Sequence, residues 1–167
     1  NTRNNRSNKR NKPTMKKKIL ILCVNYNSYK ELYDYLVSIN AAAKLACEIS
    51  EVEVFVADNT TANIQEIQTD SCDFIKIKLF PFYENKGYLG ATFDMLNSIE
   101  NKAEYDYVII SNVDLKLSET FFVELLKSEI ENVAWIAPKI QTISTGKDEN
   151  PLMLFRPQKY RLDFLRL

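Results

Sequence analysis

Short apolar runs alternate with amphipathic stretches along most of this chain. Lys18–Val24 is a β-branched and aliphatic run that predicts a strand, stopped by Asn25-Tyr26-Asn27. Ser28 followed three residues later by Glu31 has the pattern of a capping box. Leu32, Leu36, Ile39, Ala43 and Ala46 then recur at helical spacing, predicting a helix that ends near Cys47. Val52, Val54 and Val56 alternate as a second strand running into Ala57-Asp58-Asn59-Thr60. A short helix capped by Asn63 with Glu66 is expected next. Residues 74–80 predict a third strand halted by Pro81. Tyr88–Ile99 reads as a helix with Leu89, Phe93, Leu96 and Ile99 on its inner face. Val108, Ile109 and Ile110 form a continuous apolar run, as in a fourth strand covered on both faces. Ser118 and Glu119 open a helix that turns Phe121, Phe122, Leu125 and Leu126 inward, and Val133–Ala137 predicts a fifth strand ahead of Pro138. This alternation predicts an α/β domain: a mostly parallel, Rossmann-like sheet with helices on both faces.

Polar residues gather where the apolar runs stop. Asn25-Tyr26-Asn27 follows the first strand, Asp58-Asn59 the second and Asn112-Val113-Asp114 the fourth. In a parallel sheet these ends share one edge, where open α/β sheets bind ligands. Any one cluster alone is equally a turn or a helix cap. Two of the chain's three glycines lie in Glu84–Ala91, a loop whose backbone needs conformational freedom or close approach.

Composition narrows the chemistry. The 167 residues are 46% hydrophobic and 26% charged, enough for one globular domain with a core. The zero net charge hides a split: the first 18 residues carry eight Lys or Arg and no acid, leaving 14 basic against 22 acidic residues beyond them. So acidic a body disfavours nucleic acid as a partner. Residues 1–15 read as a flexible basic tail, 16–149 as the ligand-binding domain, and 150–167 as the start of a further segment that is cut short. That last stretch mixes Arg156, Lys159, Arg161 and Arg166 with apolar residues, so peripheral association with an anionic membrane surface stays open beside packing on the sheet. Cys23, Cys47 and Cys72 are odd in number and widely spaced, and the chain has no His. A disulfide framework, a structural zinc site and any His-assisted nucleophile are therefore disfavoured, and the thiols suit a reducing cytoplasm.

Neither the phosphate-binding G-x-x-x-x-G-K-[ST] pattern nor a G-x-G-x-x-G after the first strand is present, which disfavours a P-loop hydrolase and a dinucleotide dehydrogenase. A strand-end carboxylate without His or Cys suits a hard divalent cation, Mn²⁺ or Mg²⁺, shared with a diphosphate.

Val24-Asn25-Tyr26-Asn27-Ser28, Val56-Ala57-Asp58-Asn59-Thr60, Asn85-Lys86-Gly87-Tyr88 and Ser111-Asn112-Val113-Asp114 occur in order over residues 18–140. In these motifs the chain resembles the nucleotide-sugar-binding half of inverting glycosyltransferases of family two, with the GT-A fold. The rhamnosyl- and galactosyl-type enzymes of bacterial surface polysaccharide synthesis are the nearest in flavour. The resemblance implies a nucleotide-diphosphate sugar donor, a saccharide or lipid-linked saccharide acceptor, and a site in the cytoplasm or at the inner face of the membrane. It also implies roles. Asn25 and Tyr26 would line the base and ribose pocket, and Asp58 would bond the base or ribose. Asn85, Lys86 and Gly87 would border the donor. Asn112 and Val113 stand in the DXD-type motif, with Asn in place of its first Asp, and Asp114 would be the metal ligand. Thr92 and Phe93 replace amides that the family often carries. The family's general base lies in an acceptor half that this chain is expected largely to lack; Asp148, Glu149 and Asp163 are the only acids near that point. Two other readings remain: a non-catalytic nucleotide-sugar-binding or assembly module and, ranked low, a sugar-nucleotide pyrophosphorylase.

Overall fold

The computed structural model describes residues 15–128, 133 and 136–147. The chain divides into two units, 1–128 and 129–167. The first contains four strands, β1 (Lys17–Asn25), β2 (Ser50–Asp58), β3 (Ile75–Pro81) and β4 (Tyr107–Asn112), and three α-helices, α1 (Tyr29–Ala46), α2 (Gly87–Asn97) and α3 (Phe121–Lys127). The strands form one parallel sheet in the order β3-β2-β1-β4. The chain builds outward from β1 through β2 to β3, then returns to the other side of β1. The reversal lies between β1 and β4, the position at which open α/β sheets have a crevice at their carboxyl ends.

Period-two alternation divides the core into two layers. Ile19, Ile21 and Cys23 of β1 and Val52, Val54 and Val56 of β2 face α1, whose Leu32, Leu36, Ile39, Ala43 and Ala46 are all buried as expected; Phe122 of α3 joins this layer. Leu20 and Leu22 of β1 and Phe55 and Ala57 of β2 face α2 through Ala91, Met95 and Ile99. Helices therefore cover both faces. Tyr35 ties α1 to β4 through a 2.7 Å hydrogen bond with Ser111 Oγ, and burial of that pair raises the phenol's pKa well above its usual range. Burial likewise raises the Cys23 thiol to about 12, so it stays protonated and acts as a small apolar side chain.

Four local expectations change. Ser28 is the N-cap of α1, but its side chain makes no cap; Asn25 Oδ1 accepts the Ser28 N–H instead, at 3.1 Å. No helix forms at 63–66, where Asn63 has a φ of 56°. Asn at positive φ favours a turn over continued helix. Of the inner face expected for 88–99, Ile99 is buried and Leu96 packs partly buried against the same layer, but Leu89 and Phe93 are 76% and 63% exposed, while Ala91, Thr92 and Met95 are buried. The small side chains at 91 and 92 let the helix approach the sheet closely, and this outweighs the larger apolar area on the opposite side. Finally, Val108 and Ile110 are 45% and 43% exposed, because α2 packs over β1 and β2; among the described residues β4 is covered mainly on the α1 side.

In the second unit, the described part of 136–147 contains a turn in which Gly146 N–H donates to Thr142 O at 2.7 Å and Thr142 N–H to Lys147 O at 2.9 Å. Of the strand expected at 133–137, Ala134 and Trp135 lie outside the described residues, and Val133, Ile136 and Ala137 are not in a strand. Most of the basic tail, Asp148, Glu149 and all of 150–167 also lie outside the described residues. Among the described residues no helix is long and apolar enough to cross a membrane.

The burial pattern of α2 has a measurable consequence. Met95→Ala is expected to destabilise the fold by about 2–5 kcal/mol, the usual cost of emptying a core position. Leu89→Ala and Phe93→Ala are each expected to cost less than about 0.5 kcal/mol, as surface changes do. Urea unfolding of the three variants reads the difference. Equal losses for Phe93→Ala and Met95→Ala would reverse the face assignment.

Candidate functional site

Register aligns the strand ends. Asn25 lies opposite Asp58, Val24 opposite Asn112, and Asp58 opposite Pro81. The three polar clusters expected to converge therefore share the carboxyl edge of the sheet, beside the β1/β4 reversal.

Asp58 organises this edge. It is 6% exposed and accepts three hydrogen bonds: Asn25 Nδ2 at 3.1 Å, Thr60 N–H at 3.1 Å and Tyr29 O–H at 2.8 Å. Its backbone carbonyl also accepts the Phe82 N–H at 3.0 Å. A buried carboxylate is tolerated only when its lone pairs are met by donors, as here. Asn25 is fully buried; its side chain joins Asp58 to the start of α1, and its carbonyl accepts the Asn59 N–H at 2.9 Å. Asn27, at a φ of 57°, donates its N–H to Thr60 Oγ1 at 3.0 Å, closing the β1 and β2 loops on each other.

The 84–87 loop joins through Asn59, whose Nδ2 donates to Gly87 O at 3.1 Å. Gly87 has a φ of 68°, and a Cβ there would meet nothing within 4 Å. The glycine is thus required for backbone conformation and not for space. Asn85 Oδ1 accepts the Gly87 N–H at 2.9 Å. Lys86 turns inward on its own segment: Nζ lies 2.7 Å from Asp94, 3.3 Å from Glu84 and 4.3 Å from the Phe82 ring centroid. The hydrogen bond to Asp94, with help from Glu84, holds its pKa above the usual lysine value. A ligand phosphate would have to compete with both carboxylates for this ammonium.

The third cluster is split by pleat. Val113 is buried in the α1-side core, while Asn112 and Asp114 are exposed. Tyr26 is 47% exposed. The residues expected to act together thus fall into two groups. Asn25, Asp58 and Val113 are built into the frame; Tyr26, Asn112, Asp114 and the 85–87 loop present surface. Sequence reasoning missed two participants. Tyr29 is the first residue of α1, with no motif around it, and it also lines a cleft of about 270 Å³ with Lys30, Tyr33 and residues 65–68. Asn59 stood beside Asp58, but only the fold reveals its link to Gly87.

Among the described residues no three His, Cys, Asp or Glu side chains converge to hold a metal. One exposed carboxylate, Asp114, fits the way Mg²⁺ is commonly held: one or two protein carboxylates with the remaining positions filled by water and substrate phosphate oxygens. Asp114 would hold such an ion, and the ion would supply positive charge to a diphosphate.

No family model matches this chain, and no curated protein matches it.

Removing the Asp58 carboxylate strands three donors. Asp58→Ala is expected to cost about 3 kcal/mol or more, since each buried group left without a partner costs about 1–3 kcal/mol. Gly87→Ala should cost about 1–2 kcal/mol, the penalty for a Cβ at positive φ. Chemical denaturation measures both; an Asp58→Ala variant as stable as the native chain would remove Asp58 from its organising role.

Proposed function

We propose that this chain binds a nucleotide-diphosphate sugar and forms the donor-binding part of a glycosyltransferase with the GT-A fold. The observation that carries the reading is the in-register convergence of Asn25, Asp58 and Asn112 at the strand-order reversal, with the Gly87 loop tied over the same edge by Asn59. Parallel sheets bind nucleotides at such edges. The motif order that the chain shares with family-two inverting glycosyltransferases adds to it. In this reading Tyr26 and the Asn85–Gly87 loop contact the donor, and Asp58 holds the frame while keeping one lone pair for the base or ribose. Asn112 and Asp114 face the diphosphate with Mn²⁺ or Mg²⁺. Held by Asp114, such an ion would supply positive charge to the leaving diphosphate. The acceptor, a saccharide or lipid-linked saccharide, is deprotonated by a base that the described residues are not assigned to supply.

Thermal unfolding with uridine, thymidine, guanosine and cytidine diphosphates, each with and without Mn²⁺, tests the proposal. At 100 times its dissociation constant the preferred nucleotide is expected to stabilise the native chain by about 2.7 kcal/mol. Asp114→Ala should abolish the Mn²⁺-dependent part of that stabilisation and leave the unliganded melting temperature unchanged. If no nucleotide stabilises the native chain even with Mn²⁺, the donor-site reading is wrong. Stabilisation undiminished in Asp114→Ala removes only the metal assignment.

A further inference from the structure

Asn59 carries an unmet hydrogen-bonding demand at this edge. The residue is 1% exposed, and among the described residues no donor reaches its Oδ1. The orientation of the amide follows from its other end. Nδ2 faces the Gly87 carbonyl at 3.1 Å, and an oxygen turned toward that carbonyl would be repelled. Buried amide oxygens without a donor are rare, and each one calls for an explanation.

The neighbouring donors are already committed. Asn25 Nδ2, Tyr29 O–H and Thr60 N–H all go to Asp58, which is itself an acceptor. Two acceptors therefore stand side by side in the sequence, and these three donors all go to one of them. A group that satisfies Asn59 has to bring its own hydrogen. A phosphate dianion or a carbonyl cannot do so; a hydroxyl or a ring N–H can. The second feature is α2, an 11-residue helix that opens at Gly87 with no cap from the Lys86 side chain and no acidic residue in its first turn, the Gly87 N–H being taken by the neutral Asn85 Oδ1. Such a helix start favours negative charge.

We propose that Asn59 Oδ1 is a ligand acceptor: it takes a hydrogen bond from a neutral O–H or N–H of a phosphorylated ligand held at the amino end of α2. The inference rests on the donor-site reading and deepens it, making Asn59 a specificity-determining residue for the nucleoside part. Because the same amide holds Gly87 through Nδ2, occupation of Oδ1 also fixes the 84–87 loop. Binding and loop position are coupled through one planar group.

Titration calorimetry with uridine and guanosine diphosphates in the presence of Mn²⁺, on the native chain and on Asn59→Leu, is the test. The leucine has the same branched shape, is somewhat larger, and has neither polar atom. Asn59→Leu is expected to bind at least ten-fold more weakly. In the native chain, the side-chain amide resonances of Asn59 should move along the same titration curve. For the nucleotide that binds, the 2′-deoxy analogue and the analogue methylated at the ring N–H distinguish the two sources of the hydrogen. A ten-fold loss with the first assigns it to the ribose, and with the second to the base. A folded Asn59→Leu that binds within two-fold of the native chain overturns the proposal, as do Asn59 amide resonances that stay fixed at saturating nucleotide. If Asn59→Leu does not fold, the resonance titration of the native chain decides alone. If neither nucleotide binds the native chain, the donor-site reading fails first and this proposal with it, a result distinct from binding that ignores Asn59.

Discussion

Three donors on one buried carboxylate hold the carboxyl edge of this sheet together. Asp58 draws in Asn25 from the end of β1, Tyr29 from the first turn of α1, and the Thr60 N–H from its own loop. Each donor comes from a different piece of chain, so the carboxylate fixes their relative positions more tightly than backbone pairing alone would. The cost of burying a charge is met only because all three are present. The arrangement also replaces one half of the expected capping box: Asn25, already oriented by Asp58, accepts the Ser28 N–H that Glu31 would take, while Ser28 Oγ donates to the Tyr26 carbonyl at 3.3 Å.

This frame separates two kinds of residue that look alike in the sequence. Asn25, Asp58, Asn59 and Thr60 are all polar and all buried, and Asn25 and Thr60 both donate to Asp58. Tyr26, Asn112 and Asp114 stand at the same edge with exposed side chains. A rigid inner layer that positions a more accessible outer one is what a binding site requires, because ordering loose side chains at the moment of binding costs affinity. Lys86 belongs to neither group. Its ammonium is engaged with Asp94 and Glu84, which makes it a strut of the loop before it is a ligand contact.

Much of the architecture was legible in the chain. Strands β1 and β2 and the buried face of α1 follow from alternation and helical spacing, since there the large apolar side chains are also the buried ones. Helix α2 follows the same rule only in part, through Leu96 and the adjoining Ile99. It has apolar residues on both sides, and the sheet selects Ala91, Thr92 and Met95 for close packing, leaving Leu89 and Phe93 outside. The segment at 63–66 has the letters of a cap and helix but not the conformation, because Asn63 adopts positive φ. At the site, the residue types and their common edge could be read in advance. Their hydrogen-bond partners could not: Asn59 reaches Gly87 and Tyr29 reaches Asp58 across sequence gaps that no local pattern encodes.

The strand order bears on how the molecule comes to exist. Strand β1 is central, yet it precedes the other three described strands in the chain. Its partner on one side, β2, follows after a single helix. On the other side Ile19 must wait for Tyr107, so β3 and α2 are made before that edge is closed. Parallel pairing across such a separation pays its loop-closure entropy before any contact returns it. During synthesis the most apolar strand of the protein therefore spends its longest interval with one edge unpaired, and an unpaired apolar edge recruits other chains. The segment whose delivery ends that exposure is β4, which carries Asn112 at its tip: the last of the described strands to pair with the central one also completes the polar carboxyl edge of the sheet.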